Sequence, residues 1–123
     1  MMSDALAEAL LKKFLMNQDF TIPTPYLSIH GADPGKTGAN ELPYRRQPST
    51  FKVQGLVAVN ADRIEFQNLG DVDITHAGIW DSAEGGGFLC GTELHGRNRP
   101  VIEANAGDTL VLTPGEVVVK RLE

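Results

Sequence analysis

The sequence predicts a mainly β fold, an antiparallel β-sandwich or barrel preceded by one N-terminal amphipathic α-helix. Helical periodicity is confined to residues 3–16, and from residue 49 short apolar segments alternate with turn residues. No helical segment separates these short segments, which argues against a parallel sheet because parallel strands need long crossovers. The 123 residues suffice for one modest core. We therefore expect a helix and arm at 1–20 and a single β-sandwich domain at 21–123.

The predicted helix has both end signals and an apolar face. Ser3 or Asp4 can cap its free N–H groups, and Lys12 and Lys13 suit its C-terminal end. We expect the apolar stripe to pack on the parent domain or on a neighbouring copy. The stripe consists of Leu6, Leu10 and Phe14, widened by Leu11 and Leu15.

The segment after the helix predicts a strand followed by a long loop. Tyr26, Leu27 and Ile29 begin the strand, and Ala32-Asp-Pro-Gly35 is a strong turn signal. Residues 36–48 are rich in Gly, Pro, Asn and Arg, which predicts an extended loop. Long ordered loops in compact domains often carry contacts or function.

The remaining chain predicts a series of short strands. In the longest one, alternation places Val72, Ile74, His76, Gly78 and Trp80 on one face, and a bulge at Gly78 would bring Ile79 inward. Trp80 is the one tryptophan and a candidate core residue. The predicted strands are 49–54, 56–60, 63–67, 72–80, 87–94, 99–103, 108–113 and 116–122.

Gly35-Lys36-Thr37 resembles the end of a phosphate-binding loop and raises the alternative of a nucleotide-binding enzyme. The required first glycine would lie at position 30, which is His30, and a Cβ there obstructs close approach to phosphate. A phosphate-binding loop must also open a helix, and Pro43 and Pro48 oppose one here. The nucleotide hypothesis is therefore the weakest of those kept.

Other catalytic and metal-binding patterns are incomplete. His30, His76 and His95 are isolated in sequence and lack metal-ligand spacing, and Asp71 and Asp73 lack the glycine and glutamate of a calcium loop. Nucleophile candidates are Ser28 near His30 and Asp33, and Cys90 near His95, but neither lies in a nucleophile elbow. Cys90, the only cysteine, is expected to be a buried apolar residue. We predict no enzyme activity, no cofactor and no metal.

The formal net charge of −5 argues against a nucleic-acid binder, which usually gathers basic residues on one face. No apolar run approaches the length that spans a membrane, and the N-terminus lacks a signal-peptide pattern. With a single cysteine, we expect a protein that folds in a reducing cytoplasm and binds neither nucleic acid nor membrane.

Four segments together resemble a group of small tailed-bacteriophage virion proteins. They are Ser-Asp-Ala-Leu-Ala-Glu-Ala-Leu-Leu at 3–11, Pro-Thr-Pro-Tyr-Leu-Ser-Ile-His-Gly-Ala-Asp-Pro-Gly at 23–35, Ile-Thr-His-Ala-Gly-Ile-Trp-Asp at 74–81 and Asn-Ala-Gly-Asp-Thr-Leu at 105–110. The resemblance implies a non-enzymatic virion component of the capsid decoration (cement) or tail-fibre-like kind, often a trimer. His30 and Ala77 depart from the usual pattern of that group.

Two virion locations remain open. A fibre shaft usually shows repeats or heptads, and their absence favours a cement protein that binds the major capsid protein on the outer head surface. The alternative is a tail-tip, baseplate or tail-fibre-associated protein that binds other tail proteins or a host glycan. In either case we expect homotrimer or partner contacts through Leu6, Leu10, Phe14, Asn40, Leu42, Tyr44, Arg45, Arg46, Arg97 and Arg99.

Overall fold

A computed structural model describes residues 2–18, 24–94 and 101–120. The fold is mainly β, with one N-terminal helix and antiparallel sheets that form a sandwich-like arrangement and not a closed barrel. The predicted fold class is therefore confirmed in its sandwich form. The elements are α1 (Asp4–Met16), β1 (Tyr26–His30), β2 (Gln47–Pro48), β3 (Phe51–Gln54), β4 (Val57–Asn60), β5 (Ile64–Leu69), β6 (Val72–Ile74), β7 (His76–Trp80), β8 (Phe88–Glu93), β9 (Ile102–Ala104), β10 (Asp108–Leu112) and β11 (Val118–Val119).

The helix α1 begins and ends with side-chain and backbone caps. The Ser3 hydroxyl accepts a hydrogen bond from the Leu6 N–H at 3.1 Å, so Ser3 is the N-cap. Asn17 adopts a left-handed conformation at the C-terminal end, and its N–H donates to the Lys12 carbonyl. Lys12 also pairs with Glu8 one turn earlier at 3.0 Å. Local sequence alone accounts for both ends of this helix.

The largest sheet has four strands in the order β2-β1-β7-β8, all antiparallel. A three-stranded sheet has the order β11-β4-β3, and two pairs, β10 with β5 and β6 with β9, complete the domain. β7 is central, with β1 on one side and β8 on the other. Its residues Ala77, Gly78, Ile79 and Trp80 are all buried, so both faces of this strand are covered.

One face of the four-stranded sheet packs into the apolar core, which also receives Leu6 from α1. This face carries Leu27 and Ile29 from β1 and their register partners Ile79 and Ala77 from β7. The core comprises Leu6, Leu27, Ile29, Ile64, Phe66, Leu69, Ile74, Ala77, Ile79, Leu89, Cys90, Leu94, Ala104, Leu112, Val117 and Val119.

The predicted strand 72–80 is wrong as a single element. It is interrupted at Thr75, whose N–H donates to the His30 carbonyl at 3.0 Å, and the two halves pair differently: β6 with β9, and β7 with β1 and β8. The predicted bulge at Gly78 is also wrong, since Gly78 is in regular register opposite Ser28 and Gly91. The register shift lies between Ile79 and Trp80, on the β8 side.

Several other strand limits differ from the prediction. The last strand is confined to Val118–Val119, and the predicted segment 99–103 is described only from residue 101, where the strand is Ile102–Ala104. The predicted loop 36–48 ends in β2, which pairs with β1. These errors arise because pairing partners distant in sequence decide where a short strand ends.

Candidate interaction surface

The N-terminal end of α1 is anchored on β8. The Ser3 N–H donates to the Leu89 carbonyl at 2.7 Å, and Met2 forms an isolated antiparallel bridge with Cys90. Leu6 is buried and Leu10 packs partly against the core. The helix is therefore held by its first two turns.

The second half of α1 presents large apolar side chains to solvent. Leu11 is 60% exposed, Phe14 83% and Leu15 79%. Residues three and four positions apart share a helix face, so these three side chains form one apolar surface, hereafter the exposed helix stripe. Of the predicted stripe, Leu6 is buried, Leu10 is half-buried and Phe14 is exposed.

The helix bears balanced charges around this stripe. Asp4 and Glu8 are offset by Lys12 and Lys13, so α1 has no net charge while the whole chain carries −5. Copies of the helix would therefore approach one another without the repulsion expected between other parts of this acidic protein.

The segment 31–48 covers the second face of the four-stranded sheet. Pro34 is buried, and a Cβ added at Gly91 on β8 would lie 2.5 Å from its Cγ. Gly38 lies so close to the Trp80 ring that an added Cβ would be 2.5 Å from the indole edge. The Leu42 N–H donates to the Ile29 carbonyl at 2.9 Å. The segment therefore contacts β1, β7 and β8 through Pro34, Gly38 and Leu42, of which the last two lie in the predicted loop 36–48.

Arg46 is the centre of this packing. Its guanidinium forms a bidentate ion pair with Glu41, with an Nε–Oε2 distance of 2.9 Å and an Nη2–Oε1 distance of 3.0 Å. Nη1 donates to the carbonyls of Ser82 and Gly85 at 3.0 and 2.8 Å. The guanidinium also stacks on the Trp80 ring, which meets Phe88 edge-on at 5.2 Å. The residue is only 8% exposed, so its contacts lie within the chain.

A buried hydrogen-bond chain lies beneath the same segment. The Trp80 Nε1–H donates to the Ser28 hydroxyl at 2.8 Å, and the Ser28 Oγ lies 2.6 Å from His30 Nε2. His30 Nδ1 is 2.8 Å from the Ala39 carbonyl, which can only accept, so Nδ1 carries the proton and Nε2 accepts from Ser28. Burial is the main cause that lowers the pKa of His30 below 6.5, consistent with this neutral tautomer.

Ser28 and His30 lie as close as a catalytic nucleophile and its base, but neither side chain is accessible to a substrate. Both side chains are 0% exposed, and the Ser28 hydroxyl already accepts from Trp80. A Cβ at Gly78 would lie 2.5 Å from His30 Nε2, so no space remains over the pair. The arrangement fastens the 31–48 segment to the sheet and offers no room for a substrate.

The Gly35-Lys36-Thr37 segment forms turns. The N–H groups of Gly38 and Ala39 donate to the Pro34 carbonyl at 3.0 Å each, and the chain continues through turns to the His30–Glu41 bridge without a helix. Exposed Lys36 lies 3.6 Å from Asp4. The helix N-terminus that a phosphate-binding loop uses is therefore missing after Thr37.

Two surface cavities meet at Tyr44 and Arg45. The larger, of about 600 Å³, extends over β5, and the smaller, of about 280 Å³, extends to the 81–87 loop. Tyr44 and Arg45 line both cavities, and the two cavities together are hereafter called the Arg45 groove. The Gly70 N–H donates to the Tyr44 hydroxyl at 2.9 Å and fixes the phenol in place.

The other predicted contact residues occupy varied positions. Asn40 is exposed and donates to the Asp33 carbonyl at 3.0 Å, while Leu42 and Tyr44 are half-buried. Arg45 is exposed, in contrast to its neighbour Arg46. Arg97, Arg99 and His95 lie outside the described residues. The assignment of all ten residues to an interface stays a prediction.

Sequence reasoning missed the residues that complete the groove and its support. Gln47 on β2 and Arg63, Glu65 and Gln67 around β5 come together only because these strands lie side by side. The alternation of polar residues at 63, 65 and 67 with apolar residues at 64 and 66 is a sequence signal for a polar strand face.

Metal and thiol chemistry find little support in the described part of the chain. Within residues 2–18, 24–94 and 101–120, no group of three His, Cys, Asp or Glu side chains is placed to hold a metal ion. Cys90 is buried, and burial raises the pKa of its thiol to about 11.

No helix among the described residues is both long and apolar enough to cross a bilayer.

Comparison with known proteins identifies the family. A family model described as Podophage GP4 fiber I protein gp80 matches residues 1–120. No curated protein matches the chain. The family match extends from the capped helix through the last strand, and it agrees with the virion resemblance of the sequence. The chain belongs to the Podophage GP4 fiber I protein gp80 family and is a structural protein of the bacteriophage virion.

Proposed function

We propose that this protein is a non-enzymatic, tail-fibre-associated component of a podophage virion, which self-associates through the exposed helix stripe. The observation that carries the proposal is the family match over residues 1–120 to a fibre protein. The compact domain suits an attachment or capping unit better than a shaft, because the described residues include no long repetitive element.

The helix supports the self-association. Leu11, Phe14 and Leu15 present an apolar surface at helical spacing, on an element of no net charge. Homo-oligomers usually adopt closed symmetry, in which the same patch of each copy meets its equivalents around an axis. Packing of three such helices would cover the stripe, in agreement with the trimer that the sequence resemblance implies.

Location in the virion can be tested by mass spectrometry of purified particles. Complete virions, isolated tails and tailless heads from the same lysate should contain the protein in the first two fractions only. Recovery from tailless heads at the copy number of complete virions would overturn the fibre assignment. A known tail-tube protein and the major capsid protein measured in the same fractions control for cross-contamination.

Self-association can be tested on the purified full chain by light scattering coupled to size exclusion. We expect a trimer, converted to monomer by the double change Leu11→Ser and Phe14→Ser. The matched control is Val53→Ser with Leu56→Ser, because these side chains are 78% and 95% exposed but lie on the β3–β4 hairpin. A monomeric wild type at high concentration, or equal loss of trimer in both variants, would refute the role of the stripe.

A capsid cement protein is the second candidate function. It is favoured by the compact shape of the β-domain and by the acidic charge of −5, which keeps a protein present in many copies soluble. In this case the partner would be the major capsid protein, and the helix would reach across capsomer joints. The same fractionation separates the two candidates, since a cement protein stays with tailless heads.

A further inference from the structure

The outer edge of β3 is an unpaired strand edge. The sheet order β11-β4-β3 places β3 at one end, where it pairs with β4 alone. The other end, β11, lies against β8, and the Thr92 hydroxyl donates to the Val118 carbonyl there at 2.6 Å. The edges of the four-stranded sheet are also protected, because Met2 bridges to Cys90 on β8 and Pro48 on β2 has no N–H to donate. Among the described residues, β3 has no such cover.

The hydrogen bonds of the β3–β4 hairpin show which backbone groups face outward. The Ala61 N–H donates to the Thr50 carbonyl at 2.8 Å, so Thr50 is directed toward the β4 side. Bonded positions alternate along an antiparallel pair, so Lys52 also faces β4 while Phe51 and Val53 direct their N–H and C=O groups to the open edge. Within the described residues, these four outward groups have no hydrogen-bond partner. A strand placed beside β3 can therefore form four backbone hydrogen bonds.

The side chains of this edge determine what such a strand must carry. Phe51 and Val53 lie on one face of β3, where Phe51 packs partly against the core and Val53 is 78% exposed. Lys52 lies between them on the other face, exposed and without an ion pair in the described part of the chain. It is the only charged residue from 51 to 60, so the hairpin carries a positive charge on a protein of net charge −5. The edge therefore favours apolar residues opposite Phe51 and Val53 and a carboxylate opposite Lys52.

A second copy of β3 is poorly suited to this edge. In the antiparallel register that uses both open residues of each copy, Phe51 faces Val53 of the other copy, and the two Lys52 side chains face each other. That central position is a non-hydrogen-bonded pair, in which facing side chains come closest. Like charges directly opposite one another destabilise a strand pair, and lysine on an edge strand commonly prevents self-pairing. The same lysine favours a different strand that carries an acidic residue at this position.

We infer that β3 binds an extended segment of another virion protein, which joins the sheet as an antiparallel strand with an acidic residue between two apolar residues. Backbone hydrogen bonds supply the affinity of such a contact, and alternate side chains supply its specificity. Leu56, which is 95% exposed at the hairpin turn, extends the apolar contact beyond Val53. This surface is separate from the exposed helix stripe, and the inference holds for either location in the virion. Its failure would leave the fibre assignment intact.

The test is NMR titration of the isotope-labelled full chain with the end-capped peptide Thr-Thr-Val-Glu-Val-Thr-Thr. We expect a Kd below about 1 mM, and the amide hydrogens of Phe51 and Val53, which exchange freely without peptide, should become protected. A peptide with lysine in place of the glutamate should bind about fivefold more weakly. Methylation of both valine amide nitrogens removes two donors and should weaken binding at least about tenfold. No binding at millimolar concentration, or equal binding of either control peptide, overturns the inference.

A charge exchange locates the site. Lys52→Glu should reverse the preference, so that the lysine peptide binds more tightly than the glutamate peptide. Its thermal midpoint should match that of wild type, because the exposed side chain has no ion pair to lose in the described part of the chain. Lys36→Glu makes the same charge change on the 31–48 segment and should leave the wild-type preference intact. An unchanged preference in Lys52→Glu, or reversal in both variants, would contradict strand addition at β3.

Discussion

The guanidinium carbon of Arg46 lies 3.6 Å from the centre of the Trp80 ring, so a buried charge lies over the ring of the only tryptophan of the chain. Trp80 comes from β7, and Arg46 precedes β2. The contact therefore joins the 31–48 segment to the centre of the four-stranded sheet.

Replacement of Arg46 by lysine should destabilise the protein. Lysine keeps the charge but cannot reproduce the two-pronged pair with Glu41, the two bonds to carbonyls and the planar stacking at once. We expect Arg46→Lys to lower the free energy of unfolding by about 2–4 kcal/mol. Urea denaturation measures the change.

The neighbouring arginine is the control for that experiment. Arg45 is exposed, so Arg45→Lys should change the free energy of unfolding by less than about 0.5 kcal/mol. Equal effects at the two positions would show that the buried network adds no stability.

A methyl group at Gly38 should disturb the indole contact. The glycine has φ +80°, and an added Cβ would lie 2.5 Å from the Trp80 ring. Gly35 also has a positive φ, of +61°, but an added Cβ meets nothing within 4 Å. In both alanine variants the left-handed backbone conformation should lower the free energy of unfolding by about 1–2 kcal/mol. Gly38→Ala should lose a further ~1–3 kcal/mol from overpacking. Thermal unfolding of the two variants gives the difference, and identical midpoints would contradict the close packing.

Removal of the indole should be costly, since Trp80 is only 8% exposed. Trp80→Ala should lower the free energy of unfolding by about 3–5 kcal/mol. Trp80→Phe keeps most of the apolar volume but loses the hydrogen bond to Ser28, so it should cost less. Chemical denaturation checks both variants, and a negligible effect of Trp80→Ala would contradict the buried position.

The stability should depend on pH through His30. Desolvation lowers the pKa of folded His30 below 6.5, and the neighbouring His76 and Arg46 act in the same direction, while the Ala39 carbonyl and Glu41 oppose it. The unfolded chain therefore binds a proton near pH 6.5 that the folded chain does not. The contribution to stability is full above pH 6.5 and is lost as the pH falls through the folded pKa.

Urea denaturation at pH 7.5, 6.5 and 5.5 should show this slope in the wild type. His30→Asn should reduce the slope, and His76→Asn should change it less, because burial and not the charge of His76 is the main cause that lowers the pKa of His30. An unchanged slope in His30→Asn would assign the pH dependence to other groups.

A buried asparagine should hold the C-terminal turn. The Asn60 Oδ1 accepts from the N–H groups of Gly115 and Val117, and its Nδ2 donates to the carbonyls of Asp62 and Thr113. Asn60→Ala leaves these groups unpaired and should cost about 2–4 kcal/mol. Asn105→Ala, at an exposed turn, should cost less than about 0.5 kcal/mol. Hydrogen exchange at Val117 gives a local measure, and unchanged protection in Asn60→Ala would contradict the role.

Local sequence was sufficient for the helix and for the fold class. The cap at Ser3 and the turn residues between strands act over a few positions, so their effects can be predicted without partners. The division of 72–80 at Thr75 depends instead on β9 and β1, which lie far away in sequence. No local sequence pattern specifies that β6 pairs with β9 while β7 pairs with β1 and β8.

The candidate site was predictable only in part for the same reason. Tyr44 and Arg45 lie in the segment expected to make contacts, and the structure places both in the groove. Arg46 has the same local composition but is buried, because Glu41, Trp80 and the 81–87 loop converge on it. Of two adjacent arginines, Arg45 is exposed and Arg46 is buried, and only the tertiary arrangement determines this difference.

The two faces of the four-stranded sheet should differ in how they tolerate sequence divergence. The apolar face can exchange Leu, Ile and Met for one another with modest loss, because dispersion contacts have no fixed direction. The face under the 31–48 segment depends on directed bonds among Ser28, His30 and Trp80, where one replacement leaves partners unsatisfied. Divergent phage relatives should therefore change the apolar residues one at a time and exchange this polar trio only as a unit.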